Sequence, residues 1–150
     1  MKLSEALIIR SDLQKRVQQI KARLIANAKI QEGDKTVENP NEILAELDQI
    51  LGDLCEIIKK INLTNSQISD GSKTMTELLA ERDVLTTKIS VCQEFLTNAR
   101  NKIDRYSNKE IKIFSSVDVK EEQSNLDKLS KELRELDIKI QALNWQSDLM

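Results

Sequence analysis

The sequence has no histidine, one proline and three glycines, and only 3% of its 150 residues are aromatic. The lack of histidine excludes imidazole-based catalytic triads, most catalytic zinc sites and di-iron bundles with histidine ligands. Few aromatic residues argue against a β-sandwich, and few helix-breaking residues leave long helices uninterrupted. Charged residues make up 32% of the chain, which is typical of helical bundles. The composition therefore predicts an all-α fold.

The charge balance and the cysteines exclude further classes of protein. A formal net charge of −2 gives no basic surface for nucleic acid, so we expect no nucleic-acid partner. Cys55 and Cys92 lack the spacing of a redox or metal pair, and we predict two buried apolar thiols. No stretch is long enough to span a membrane, and residues 6–9 are too short for a signal-peptide core. We expect a soluble, cytoplasmic protein with no membrane partner.

Start and stop signals divide the chain into four predicted helices joined by short loops. The first runs from about Leu3 to Gln31 and ends before Gly33, a residue type that favours helix ends. Capping patterns at 39–42, 74–77 and 118–121 open the other three, and the third is predicted to reach about Tyr106. The β-branched and aromatic residues near 110–117 interrupt the helical period and predict a short extended segment.

Apolar residues recur at alternating spacings of three and four, which is the heptad pattern of packed helices. In the second helix, Leu44, Leu51 and Ile58 widen the apolar face beyond what one neighbouring helix covers. Short loops favour antiparallel neighbours. We therefore predict one domain over residues 1–150, a long antiparallel helical bundle or a set of coiled-coil-like hairpins. We also predict a homo-oligomer, because a second chain would bury the other side of the second helix.

Two arginines, Arg10 and Arg82, occupy apolar positions of the heptad pattern. Folding the hairpins antiparallel places both near one end of the bundle. Their guanidinium groups could then hold a small anion, such as a carboxylate or a phosphate. The alternative is structural, with the arginine stems packed and their heads in water or in ion pairs. The remaining residues of this candidate ligand site are Asn62, Asn65, Asp83 and Asn144.

Glu42 and Glu46 lie one turn apart on the second helix, as ligands of a divalent cation do. All-helical nucleotide pyrophosphohydrolases use such pairs together with acids from another helix. The second acidic pair is missing here, so solvated surface acids are the alternative. A divalent cation is thus the cofactor that the sequence leaves open, with a metal-dependent hydrolase as the matching activity.

Short motifs follow one another along nearly the whole chain. They stand at 3–7, 12–14, 31–33, 39–42 (Asn-Pro-Asn-Glu), 61–65 (Ile-Asn-Leu-Thr-Asn), 82–85, 104–107, 117–119, 131–137 and 140–145 (Ile-Gln-Ala-Leu-Asn-Trp). Their order and spacing resemble the small bacterial septicolysin-like proteins, a family of unknown function. The resemblance implies an all-helical bacterial protein and supplies no catalytic residues. The family label implies a pore-forming cytolysin.

Taken together, these features predict a protein that acts by self-assembly or by binding a ligand or partner, and not by catalysis. The divalent-metal hydrolase is the first alternative, and the cytolysin is the second. Neither alternative has a complete set of residues in the sequence, because the hydrolase lacks its second acidic pair and the cytolysin lacks a β-rich region.

Overall fold

The computed structural model describes residues 1–101 and 112–150, and this part of the chain contains four α-helices. They are α1 (Leu3–Ala26), α2 (Pro40–Gln67), α3 (Met75–Arg100) and α4 (Val119–Gln146). The described residues form no β-strand, and their isolated β-bridges join Lys2 with Asp148 and Ser69 with Thr74. The prediction of an all-α fold is confirmed.

The starts of the helices follow the predicted capping residues. The side chain of Asn39 accepts a hydrogen bond from the backbone N–H of Asn41 at 3.0 Å, and Pro40 is the first residue of α2. At the start of α4, Asp118 Oδ1 accepts hydrogen bonds from the backbone N–H groups of Lys120 and Glu121. These side chains satisfy N–H groups that lack a partner within the helix, which is why each helix begins there.

The first helix ends at Ala26, five residues earlier than predicted. The amide of Asn27 explains this end, because its Nδ2 donates to the carbonyl of Arg23 at 2.9 Å and its Oδ1 accepts from the N–H of Glu38 at 3.0 Å. One side chain thus joins the end of α1 to the far end of the loop. The loop then includes Gly33, whose φ of 86° lies in the left-handed region.

Two further predictions concern residues in and around 102–111, a stretch outside the described residues. Helix α3 extends to Arg100, and its predicted continuation to Tyr106 lies outside the described residues. Residues 110 and 111 of the predicted extended segment also lie outside them. Residues 112–115 have no regular secondary structure, and within the described chain residues 112–117 form no β-bridge.

The chain comprises two compact units. Unit 1 contains Met1–Thr74 and Ala142–Met150, and unit 2 contains Met75–Gln141. Helix α4 therefore contributes most of its length to unit 2 and its last turn to unit 1. The expectation of one domain stays a prediction.

Unit 1 is built on a helical hairpin of α1 and α2. Its buried cluster contains Leu13 and Ile20 from α1 and Ile43 and Ile50 from α2. Each such side chain contributes roughly 1.5–3 kcal/mol when it leaves water. The partly buried side chains around this cluster are Val17, Leu24, Leu47, Leu54 and Ile57. These residues recur at spacings of three and four along α1 and α2, as the sequence pattern predicts.

Unit 2 is built on α3 and the greater part of α4. Its buried cluster contains Ile89 and Leu96 of α3 and Leu126 of α4. The guanidinium of Arg100 donates to the side-chain oxygen of Gln123, so the last turn of α3 lies beside the first turns of α4. The partly buried side chains around the cluster are Leu85, Cys92, Val119, Leu129 and Leu133.

A short segment after α4 connects both ends of the chain within unit 1. The N–H of Leu3 donates to the carbonyl of Ser147 at 3.0 Å, and the N–H of Leu149 donates to the carbonyl of Met1 at 2.9 Å. The N–H of Met150 donates to Thr64 Oγ1 at 3.0 Å, and Thr64 is fully buried. Residues 147–150 thus fasten the end of α4 to α1 and α2.

Replacing Asn27 should destabilise unit 1. The Asn27→Ala variant loses both hydrogen bonds of the side chain, and we expect the free energy of unfolding to fall by about 1–2 kcal/mol. Chemical denaturation followed by circular dichroism measures this change. The Asn41→Ala variant, which removes an exposed amide in the first turn of α2, is the control. Equal losses in the two variants would contradict the role assigned to Asn27.

Candidate functional site

The outer side of α2 carries a second apolar row, which we call the outer row: Leu44, Leu51, Cys55 and Ile58. Leu44 is 46% exposed and Leu51 is 42% exposed, although both directly follow buried isoleucines. Ile58 is half-buried. The hairpin with α1 covers one side of α2 and leaves much of the outer row in contact with water, so the described chain buries α2 on one side.

Cys55 lies in the middle of the outer row and is exposed. The prediction of a buried thiol is wrong for this residue, because its position points away from the core of the hairpin. Cys92 is half-buried beside the core of unit 2, and both cysteines are free thiols. Next to the outer row, the ammonium of Lys59 contacts the carboxylate of Glu56 at 2.7 Å.

Four residues of the predicted ligand site belong to unit 1. Arg10 is half-buried in the apolar row of α1, and its Nε is buried with no hydrogen-bond partner among the described residues. Asn144 is 6% exposed. Asn62 is exposed and Asn65 is half-buried, and they flank the buried Thr64.

Arg82 and Asp83, the other two residues of that predicted site, belong to unit 2. The guanidinium of Arg82 contacts the carboxylate of its neighbour Asp83 at 3.3 Å. Adjacent residues of a helix face different directions, so this contact is local and exposed. The convergence of Arg10 and Arg82 on one anion stays a prediction.

One residue of the predicted metal-binding pair already accepts a hydrogen bond from an arginine. Glu46 accepts a hydrogen bond from Arg23 Nη1 at 2.9 Å, whereas Glu42 is exposed in the first turn of α2. Within residues 1–101 and 112–150, no group of three acidic or cysteine residues is arranged to hold a metal ion. The divalent-cation site stays a prediction, and one of its two carboxylates already has a cationic partner.

Sequence reasoning missed the ion cluster centred on Arg23. The guanidinium donates to both carboxylate oxygens of Glu38, at 2.7 and 3.1 Å, and also to Glu46. This two-point contact joins the end of the loop to α1, and the hydrogen bonds from Arg23 hold the pKa of Glu38 below its usual value. The antiparallel alignment of α1 and α2 was the available signal, because it places Arg23 level with Glu46.

Comparison with known proteins decides the family. Residues 10–149 match a family of unknown function, DUF6847. The chain belongs to this family. The match covers almost the entire chain and includes α2, α3, α4 and the part of α1 from Arg10 onward.

One solved structure shares both the fold and recognisable sequence. It is the crystal structure of a functionally unknown conserved protein from Corynebacterium diphtheriae, with 38% sequence identity and a TM-score of 0.91. The alignment covers 100% of this chain and 99% of that protein. No curated protein matches this chain.

The resemblance to septicolysin-like proteins is wrong, since the chain matches DUF6847. The stretches that carried the resemblance are largely helix caps and heptad segments, such as 39–42 and 117–119. Helices of many unrelated proteins need such patterns for physical reasons, so their order and spacing did not identify a family. The cytolysin function was implied by that family label alone, so it has no remaining support.

Among the described helices, none combines the length and the hydropathy that a bilayer span requires.

The Arg23–Glu38 contact predicts a pH-dependent contribution to stability. Because the pKa of Glu38 is lower in the folded protein than its usual value of 4.5, the contribution is present above about pH 4.5. It is lost as the pH falls through the lowered pKa. We expect Glu38→Gln to lower the melting temperature at pH 7 and the difference from wild type to shrink below pH 4.5.

Thermal denaturation of both proteins across this pH range checks the prediction. The control is Glu32→Gln, which removes an exposed acid from the same loop. If the Glu38 variant differed from wild type equally at pH 7 and at strongly acidic pH, the charge of Glu38 would not matter.

Proposed function

We propose that this protein acts by self-assembly, as a non-catalytic helical protein whose copies pair through the outer row of α2. The observation that carries the proposal is the exposure of Leu44 and Leu51, at 46% and 42%, on a helix whose other side is already buried. They are seven residues apart, which is the repeat of a helix-packing seam. Single exposed apolar residues are common on protein surfaces, whereas a row at this repeat is typical of an interface.

The polar residues also favour assembly over hydrolysis. Glu46, one of the two predicted metal ligands, accepts a hydrogen bond from Arg23. A cation at Glu42 and Glu46 would have to compete with this guanidinium, which also holds Glu38. The carboxylate thus serves the attachment of the loop, and the hydrolase alternative has less support than the interface.

The Leu51→Arg variant tests the proposal, because a charge in the centre of an apolar interface cannot be paired there. We expect wild type to be dimeric in sedimentation equilibrium and the dissociation constant of the variant to rise by about 100-fold or more. Circular dichroism should show unchanged helix content, since Leu51 is exposed within one chain.

The matched control is Val84→Arg, which places the same charge at a 70% exposed valine of α3. The control should assemble like wild type. A wild-type protein that is monomeric at high concentration would refute the proposal. So would dissociation by Val84→Arg but not by Leu51→Arg.

A small anion held at Arg10 is a second candidate function. It is favoured by the buried Nε of Arg10, which has no hydrogen-bond partner among the described residues. A buried donor without a partner costs about 1–3 kcal/mol, and an oxygen of a bound anion would remove this cost. Inorganic phosphate is a suitable probe, because it accepts hydrogen bonds in the geometry that a guanidinium offers.

We expect phosphate to raise the melting temperature of wild type and not that of Arg10→Met. Arg16→Met is the matched control, since Arg16 is an exposed arginine of the same helix. It should keep the full phosphate response. An equal response in all three proteins would assign the effect to general salt screening and refute a site at Arg10.

A further inference from the structure

We infer that two copies pair antiparallel, α2 against α2, about a two-fold axis beside Gly52. This inference rests on the proposed self-assembly and names its partner surface and orientation. Such a contact uses the same surface on both chains, so it closes at a dimer and leaves no free copy of the interface.

The outer row has a register that fits an antiparallel pair. Leu44, Leu51 and Ile58 form one series that repeats every seven residues. A second series lies four residues after the first and consists of Asp48, Cys55 and Asn62. In antiparallel helix pairs, members of one series face members of the other. A two-fold axis level with Asp53, one residue after Gly52, places Leu51 of one copy against Cys55 of the other, twice. These two apolar layers form the centre of the contact.

Gly52 also favours a contact between two copies of α2. Gly52 lies in the middle of α2, where glycine is less favourable to the helix than alanine. A Cβ at this position would meet no atom of the chain within 4 Å, so packing within one copy does not require glycine. Gly52 and Ala45 are small residues seven apart on the side of α2 next to the outer row. The antiparallel pairing brings Gly52 of both copies together, where small residues allow close helix approach.

The order of charges along α2 differs in its effect on parallel and antiparallel pairs. Asp48 precedes the centre of the outer row, and Lys59 follows it. A parallel pairing would bring Asp48 next to Asp48 and Lys59 next to Lys59, which is repulsive. The antiparallel pairing brings Asp48 of each copy close to Lys59 of the other, and it also opposes the two helix dipoles. Lys59 also contacts Glu56 of its own helix at 2.7 Å, so the contact with Asp48 of the other copy would add to this pair, and charge complementarity favours the antiparallel orientation.

Crosslinking between two different single-cysteine chains tests the orientation. The first chain carries Leu51→Cys, Cys55→Ser and Cys92→Ser, and the second carries Cys92→Ser and a mass tag, so that Cys55 is its one thiol. After mixing, the chains are treated with dibromobimane, a short thiol crosslinker, and the products are resolved by mass. We expect the mixed product, joining position 51 of one chain to Cys55 of the other, to exceed both like-with-like products.

Each outcome separates the inference from the proposed function. A majority of like-with-like products would show a parallel pairing and overturn the inference, while self-assembly through the outer row would stand. If the same chains sedimented as monomers and formed no crosslink, both the inference and the proposed function would be overturned. Dimers in sedimentation that form no crosslink would show an interface elsewhere, and they also would overturn both.

The Gly52→Ala variant gives an independent test, because it should stabilise the monomer and weaken the dimer. In the monomeric Leu51→Arg background, we expect it to raise the melting temperature by roughly a few degrees, because alanine favours helix. In the otherwise wild-type chain, we expect it to raise the dissociation constant of the dimer by about tenfold, because two methyl groups separate the helices.

The matched control is Gln49→Ala, which changes an exposed side chain on the side of α2 away from the outer row, about one turn before Gly52. It should leave the dissociation constant unchanged. If Gly52→Ala stabilised the monomer and left the dimer as tight as before, the axis would not pass beside Gly52.

Discussion

The apolar seam between α1 and α2 is the interaction on which the described arrangement of unit 1 depends. Leu13 and Ile20 pack with Ile43 and Ile50, and this packing sets which residues of the two helices lie level with each other. A shift of one helix by a single residue would move the apolar rows out of contact. The seam thereby determines the positions of the polar contacts at both ends of the hairpin.

At the loop end, the seam brings Arg23 level with Glu46, and the same guanidinium also holds Glu38. At the other end, it brings Thr64 of α2 close to the start of α1, where residues 147–150 bind to both. These contacts are partly exposed and contribute modestly one by one. Their role is to fix the loop and the chain ends on a hairpin that apolar burial has already formed.

Helix α2 has two apolar sides, and the seam uses one of them. The outer row remains accessible because α1 covers one side of α2 and the outer row lies on another. A second exposed apolar row has a cost in solubility, and a mid-helix glycine has a cost in stability. The family of unknown function and its Corynebacterium relative establish the fold, and the properties of α2 are what support assembly as its function.

The amino-acid sequence alone determined the helical class, the starts of α2 and α4 and the apolar rows of α1 and α2. These depend on local physics, namely capping by Asn39 and Asp118 and the spacing of apolar residues. The tertiary structure decided the early end of α1 at Asn27, the ion cluster of Arg23, the attachment of residues 147–150 and the exposure of Cys55. Each depends on residues far apart in the chain, and spacing cannot show which of several possible partners a side chain will reach.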